Sequence, residues 1–161
     1  MMSDAPSTEP PDDAHLIPLG SRLAEAMKLR GEGAPDKAAL IYHEILQADP
    51  RLAEPRLELA HMAAEREQWE EAEEQARAAL DVLRRGGQWT ADVTEDQLLS
   101  FAMNLLAEII YRSVQEGDLI FRDESEFKTR WNEAASLFSE ALTKDPSNED
   151  ARYWANHVRP A

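Results

Sequence analysis

The 161-residue chain contains no cysteine, so disulfides, thiolate nucleophiles and cysteine-ligated zinc are excluded. Cations are scarce. Lys and Arg number 17 against 32 Asp and Glu, a formal charge of −15, which repels phosphate backbones and anionic lipid alike. Nucleic acid is therefore excluded as a partner, while a basic protein surface would be attracted. No apolar run approaches the roughly 18 residues of a membrane helix, so no membrane insertion is expected. The opening MMSDAPSTEPPDD has neither the basic nor the apolar region of a secretory signal. A cytoplasmic location is the expectation.

Strings that carry chemistry are also lacking: there is no phosphate-cradling glycine loop, no G-x-S-x-G and no H-E-x-x-H. His15, His43, His61 and His157 fall in separate segments without metal-ligand spacing. His61 and Glu65 alone stand four apart on one helical face, where an ordinary surface histidine is the simplest reading. Glu70, Glu71, Glu73 and Glu74 read as a solvated helix face, since nothing apolar beside them would raise a carboxyl pKa. No enzyme activity, cofactor or metal is expected.

What the chain does contain is a ruler. Ala26 and Ala60 lie 34 residues apart, and the same interval separates Ala38 from Ala72, Leu29 from Ala63, Tyr42 from Ala76, Ile45 from Ala79 and Leu46 from Leu80. A recurrence of small and apolar residues at 34 is the period of a stacked helix-turn-helix unit. Ahead of it, residues 1–14 are acidic and proline-rich with almost nothing to bury, and a disordered tail is expected. His15, Leu16, Ile17 and Leu19 around Pro18 form a short apolar lead-in expected to cover the end of a first helix at about 21–30, whose stripe is Leu23, Ala26, Met27 and Leu29. Gly31 and Gly33 stop that helix, and Pro35 and Asp36 open a second that ends near Gln47.

Asp49-Pro50 breaks the chain before a third helix at about 53–65, with Leu59, Ala60 and Ala63 inward and Leu57, His61 and Ala64 turned elsewhere. A fourth helix, 69–84, buries Ala72, Ala76, Ala79, Leu80 and Leu83. Arg84-Arg85-Gly86-Gly87 closes it, the glycine pair supplying left-handed dihedrals. Thr94 and Gln97 form a capping-box pattern, so a long helix spans about 95–116 with a wide stripe that includes Leu98, Phe101, Leu105, Ile109 and Val114. The segment 119–124, LIFRDE, is expected to be irregular. A further helix covers about 126–143 with Trp131, Ala134, Phe138, Ala141 and Leu142 inward, and Ser147 with Asp150 caps a last helix ending near His157.

These spacings resemble the tetratricopeptide repeat family, most specifically in AEPRLELAHMAAEREQWEEAEEQARAALDV, residues 53–82. The resemblance implies an all-α, right-handed solenoid, a single domain over 15–158. It has about three helix pairs at 20–50, 53–84 and 95–146, insertions at 85–94 and 117–130, and a capping helix at 147–158. It also implies a non-enzymatic scaffold whose first helices line a concave groove for a partner's peptide or helix. Carried over by position, the groove residues are Leu23, Met27 and Arg30, then Glu54, Leu57, His61 and Glu65, then Phe101, Asn104, Glu108 and Tyr111. Members that clamp acidic chaperone tails use cations at these positions. Leu, Met, His and Glu stand here instead, which favours a basic or apolar helix as partner.

Trp89, Leu119, Ile120 and Phe121 fall in the two insertions. They either fold back over the long helix or present an interaction surface. Two alternatives to the scaffold reading accompany it: a self-associating assembly protein, and a small acidic secretion or export chaperone.

Overall fold

A computed structural model describes residues 15–161. The acidic tail expected at 1–14 lies outside the described residues. Among these the chain is all-α, with eight helices and one isolated backbone bridge. They are α1 Leu16–Gly31, α2 Pro35–Ala48, α3 Glu54–Glu65, α4 Trp69–Arg84, α5 Glu95–Glu116, α6 Leu119–Arg122, α7 Glu124–Lys144 and α8 Glu149–His157. The short links make α1 and α2, then α3 and α4, antiparallel neighbours, while α5 packs most extensively on α7 and α8 closes against α7.

Four boundaries differ from the sequence reading. The lead-in is the first turn of α1 rather than a separate cover: Pro18 sits where a helix has no backbone N–H partner to lose, Leu16 and Leu19 pack on the core, and Ile17 points to solvent. The LIFRDE stretch is not irregular. Residues 119–122 make one helical turn, and α7 starts at Glu124 because the Asp123 carboxylate accepts from the Glu126 N–H at 3.0 Å. α7 thus begins within the span 117–130 assigned to the second insertion. For α8 the cap is Asn148, not Ser147, its side chain accepting from the Ala151 N–H. Only Gly86 of the glycine pair has a positive φ, at 78°. The capping box of α5 is formed as read, with Gln97 N–H on Thr94 Oγ1 at 3.1 Å and Thr94 N–H on Gln97 Oε1 at 2.9 Å.

The core has two parts, and α3 feeds both. Leu59 and Met62 join Leu23, Ala26, Ala38, Tyr42 and Ile45. Leu57, Ala60 and Ala63 join the larger cluster built from α4, α5, α7 and α8. Ala26, Ala38, Ala60 and Ala72, small residues on the ruler, are all fully buried, as are Ala107 of α5 and Ala134 of α7. A side chain without branches there lets helix axes approach closely.

Gly87 locks the first insertion to the body. Its neighbours pair with the α2–α3 link, Gln88 N–H to Arg51 O at 2.9 Å and Ala53 N–H to Gln88 O at 3.0 Å. A Cβ on Gly87 would stand 2.7 Å from Val82 O and 2.9 Å from Arg51 O, both backbone atoms. Gly87→Ala is expected to cost about 1–2 kcal/mol through this overpacking, read as a lower denaturant midpoint. An unchanged midpoint would mean that the two links are not in register in solution.

Tyr42 is fully buried, and among the described residues its hydroxyl has no hydrogen-bond partner. Burial, with Glu58 nearby adding to it and Arg30 opposing, pushes its pKa up to about 12. Folding therefore favours the neutral phenol. The contribution is complete below the ordinary value of about 10 and is lost as pH rises toward 12. Tyr42→Phe is expected to gain up to about 1 kcal/mol at neutral pH and to lose less stability between pH 9 and 11 than the parent, as urea titrations at both values would show.

Candidate functional site

The exposed faces of α3 and α5 meet the start of α4 in an open cleft of about 220 Å³, lined by His61, Ala64, Glu65, Trp69, Leu105, Glu108, Ile109 and Arg112. Helical spacing explains the assembly. His61 and Glu65 are one turn apart on α3, and Leu105, Glu108 and Arg112 follow on successive turns of α5. The floor is apolar, from Ala64, Leu105, Ile109 and the Trp69 ring, whose indole N–H is held by Glu116 Oε2 at 2.7 Å.

The charges are paired along the walls. Arg112 Nη2 donates to Glu108 Oε1 at 2.7 Å, and His61 Nε2 lies 3.3 Å from Glu65 Oε1. Glu65 also accepts from Arg30 of α1, which donates its other nitrogen to Glu58 at 3.0 Å. Glu65 is the shared wall between this cleft and a second one lined by Met27, Arg30, Pro35 and Glu58. The two form one continuous strip across α1, α3 and α5.

Of the residues assigned to a groove, Met27, His61, Glu65 and Glu108 lie on this strip with Arg30, and Met27 is 55% exposed. The others are elsewhere. Leu23 and Leu57 are core residues, buried by the neighbouring helices, and so cannot be open anchors. Asn104 is buried too, its Oδ1 without a partner among the described residues. Glu54 does not form a free negative rim, because it accepts from both the N–H and the hydroxyl of Thr90. Phe101 is 49% exposed on α5 rather than part of the buried stripe. Tyr111 turns the other way, its ring 5.6 Å from that of Trp131 and 5.0 Å from that of Trp154.

The insertion residues divide. Trp89 folds back, half-buried on the larger core with its indole N–H on Val93 O at 3.0 Å. Leu119 is half-buried, whereas Ile120 and Phe121 stand in solvent.

Two polar assemblies escaped the sequence reading. Ser100, fully buried, donates to Ala141 O at 2.7 Å and accepts from Asn148 Nδ2 at 2.9 Å, tying α5, α7 and the cap of α8 together. Glu73 is not a solvated acid. It takes two bonds of 2.7 Å from Arg130 of α7 and two, of 2.8 and 3.1 Å, from Arg77, which in turn reaches Glu133. An arginine 57 residues away leaves no local pattern to find.

Among the described residues, no group of three or more His, Asp or Glu side chains is placed to hold a metal ion, and no helix is long and apolar enough to cross a membrane. Comparison of the chain with protein-family models and with curated proteins returns no match.

Proposed function

We propose that the chain is a non-enzymatic protein-interaction scaffold of the tetratricopeptide type, a short solenoid that receives an apolar or basic helix along the α1–α3–α5 strip. The observation that carries this is the continuity of the strip: residues of three helices, Met27 of α1, His61 and Glu65 of α3 and Glu108 of α5, lie along two clefts that share Glu65. The burial of every alanine on the 34-residue ruler supports the repeat reading. Three carboxylates of the strip, Glu58, Glu65 and Glu108, face two guanidiniums, Arg30 and Arg112. The remaining pull on a cation is modest, so apolar contact with the floor supplies most of the affinity.

The test uses a partner captured from the native host. Met27→Asp with Glu108→Lys, both at accessible positions, is expected to weaken capture at least about tenfold. Leu40→Asp and Glu74→Lys, on exposed faces of α2 and α4, are expected to leave it unchanged. The opposite pattern would place the partner on the outer helices and overturn the reading.

A further inference from the structure

The geometry points to a second docking surface, on α6 and the start of α7, that takes a cationic segment of another protein anchored by one large apolar side chain. Phe121 is 87% exposed and Ile120 47%, although each sits on an ordered helical turn. Beside them is a cleft of about 350 Å³ lined by Val114, Gln115, Asp118, Phe127 and Trp131. Its far wall is fixed. The rings of Phe127 and Trp131 stack at 5.6 Å, and the Trp131 indole N–H is held by Arg159 O at 2.6 Å. An apolar cleft with a preset wall and an unburied phenylalanine at its lip loses little entropy on accepting a side chain.

Charge selects the occupant. Between residues 116 and 128 the acids are Glu116, Asp118, Asp123, Glu124 and Glu126, and the cations are Arg122 and Lys128 alone. Both cations are already engaged: Arg122 donates to Gly117 O at 3.0 Å, and Lys128 lies 2.9 Å from Glu124. A second copy would bring the same acids face to face. The chain's own residues 1–14 hold Asp4, Glu9, Asp12 and Asp13 and not one Lys or Arg, so they are repelled as well. A segment bearing Lys or Arg on either side of a Leu, Ile, Phe or Trp meets both features.

The probe is a synthetic amphipathic peptide of Leu and Lys, paired with a Leu and Glu version of the same pattern, titrated at low salt into the 15N-labelled full chain carrying Met27→Asp and Glu108→Lys, which removes the α1–α3–α5 strip as a competing site. The expected result is saturable binding of the Lys peptide with amide shifts centred on residues 114–131, at least about tenfold weaker in Phe121→Ala, further weakened at high salt, and absent for the Glu peptide. Phe121 touches too little for its loss to unfold the chain. In the parent chain the same affinity at residues 114–131 is expected, and any further shifts on α3 and α5 belong to the α1–α3–α5 strip, which separates the two surfaces. The inference is overturned by no saturable binding, by shifts centred on α3 and α5, by an unchanged affinity in Phe121→Ala, or by a dimer in sedimentation that Phe121→Ala dissolves.

Discussion

Glu73→Ala is expected to lower the free energy of unfolding by about 2–3 kcal/mol at neutral pH. The substitution leaves the Arg130 guanidinium, three-quarters shielded between α4 and α7, without the carboxylate that takes two of its N–H groups. Breaking a fully buried pair from one side costs about 3–5 kcal/mol; partial solvent access here reduces that. The effect also carries a pH signature. Arg130's hydrogen bonds hold the Glu73 carboxyl below its usual range, with burial opposing and Arg77 adding to the shift. A depressed folded pKa means that the contribution is complete above the ordinary carboxylate value and is lost as pH falls through the lowered one. Urea titrations of parent and variant should therefore converge as pH is lowered from 7 into the acid range. A constant gap would show that Glu73 acts through packing alone, and no gap at pH 7 that the clamp is absent in solution.

Overpacking at the ruler alanines is the other large effect. Ala60→Leu and Ala72→Leu are each expected to cost about 1–3 kcal/mol. Both residues are fully buried in the larger core cluster, Ala60 on α3 and Ala72 on α4, two helices that pack extensively on each other. Three added carbons must be accommodated by moving a helix axis or by leaving a favoured rotamer. The strain is shared between two packed helices, so the double variant should depart from the sum of the single effects. Thermal midpoints measured on the three proteins check this. Midpoints unchanged in both single variants would mean that these alanines do not face a partner helix.

The site was legible only in part, and the residues show where legibility stops. His61 and Glu65 could be paired from spacing alone, because four residues on a helix fix a common face whatever surrounds it. Leu57 and Asn104 could not be placed. A helix flanked by neighbours on two sides buries most of its circumference, and α3 and α5 are such helices, each touching several others. A position one residue from the exposed strip is then already core. Glu54 shows a different limit. Its carboxylate is taken by Thr90, which reaches it from the first insertion, a segment whose path no repeat period describes.

The sequence by itself determined every helix but the single turn α6, their order and the small residues at their crossings, because helical period, caps and the 34-residue recurrence are local or nearly local properties. The Thr94–Gln97 box and the buried alanines are read from neighbours along the chain. Only the tertiary structure decided which polar side chains are structural and which apolar ones stay in solvent. Glu73 and Glu74 are adjacent acids on one helix, yet only Glu73 is clamped, by an arginine on α7. Trp89 and Phe121 are alike in sequence terms, aromatic residues in insertions, yet Trp89 packs on the larger core and Phe121 stands 87% exposed. Burial and charge pairing depend on what packs from a distance, and a single chain read in order carries no record of which segment that will be.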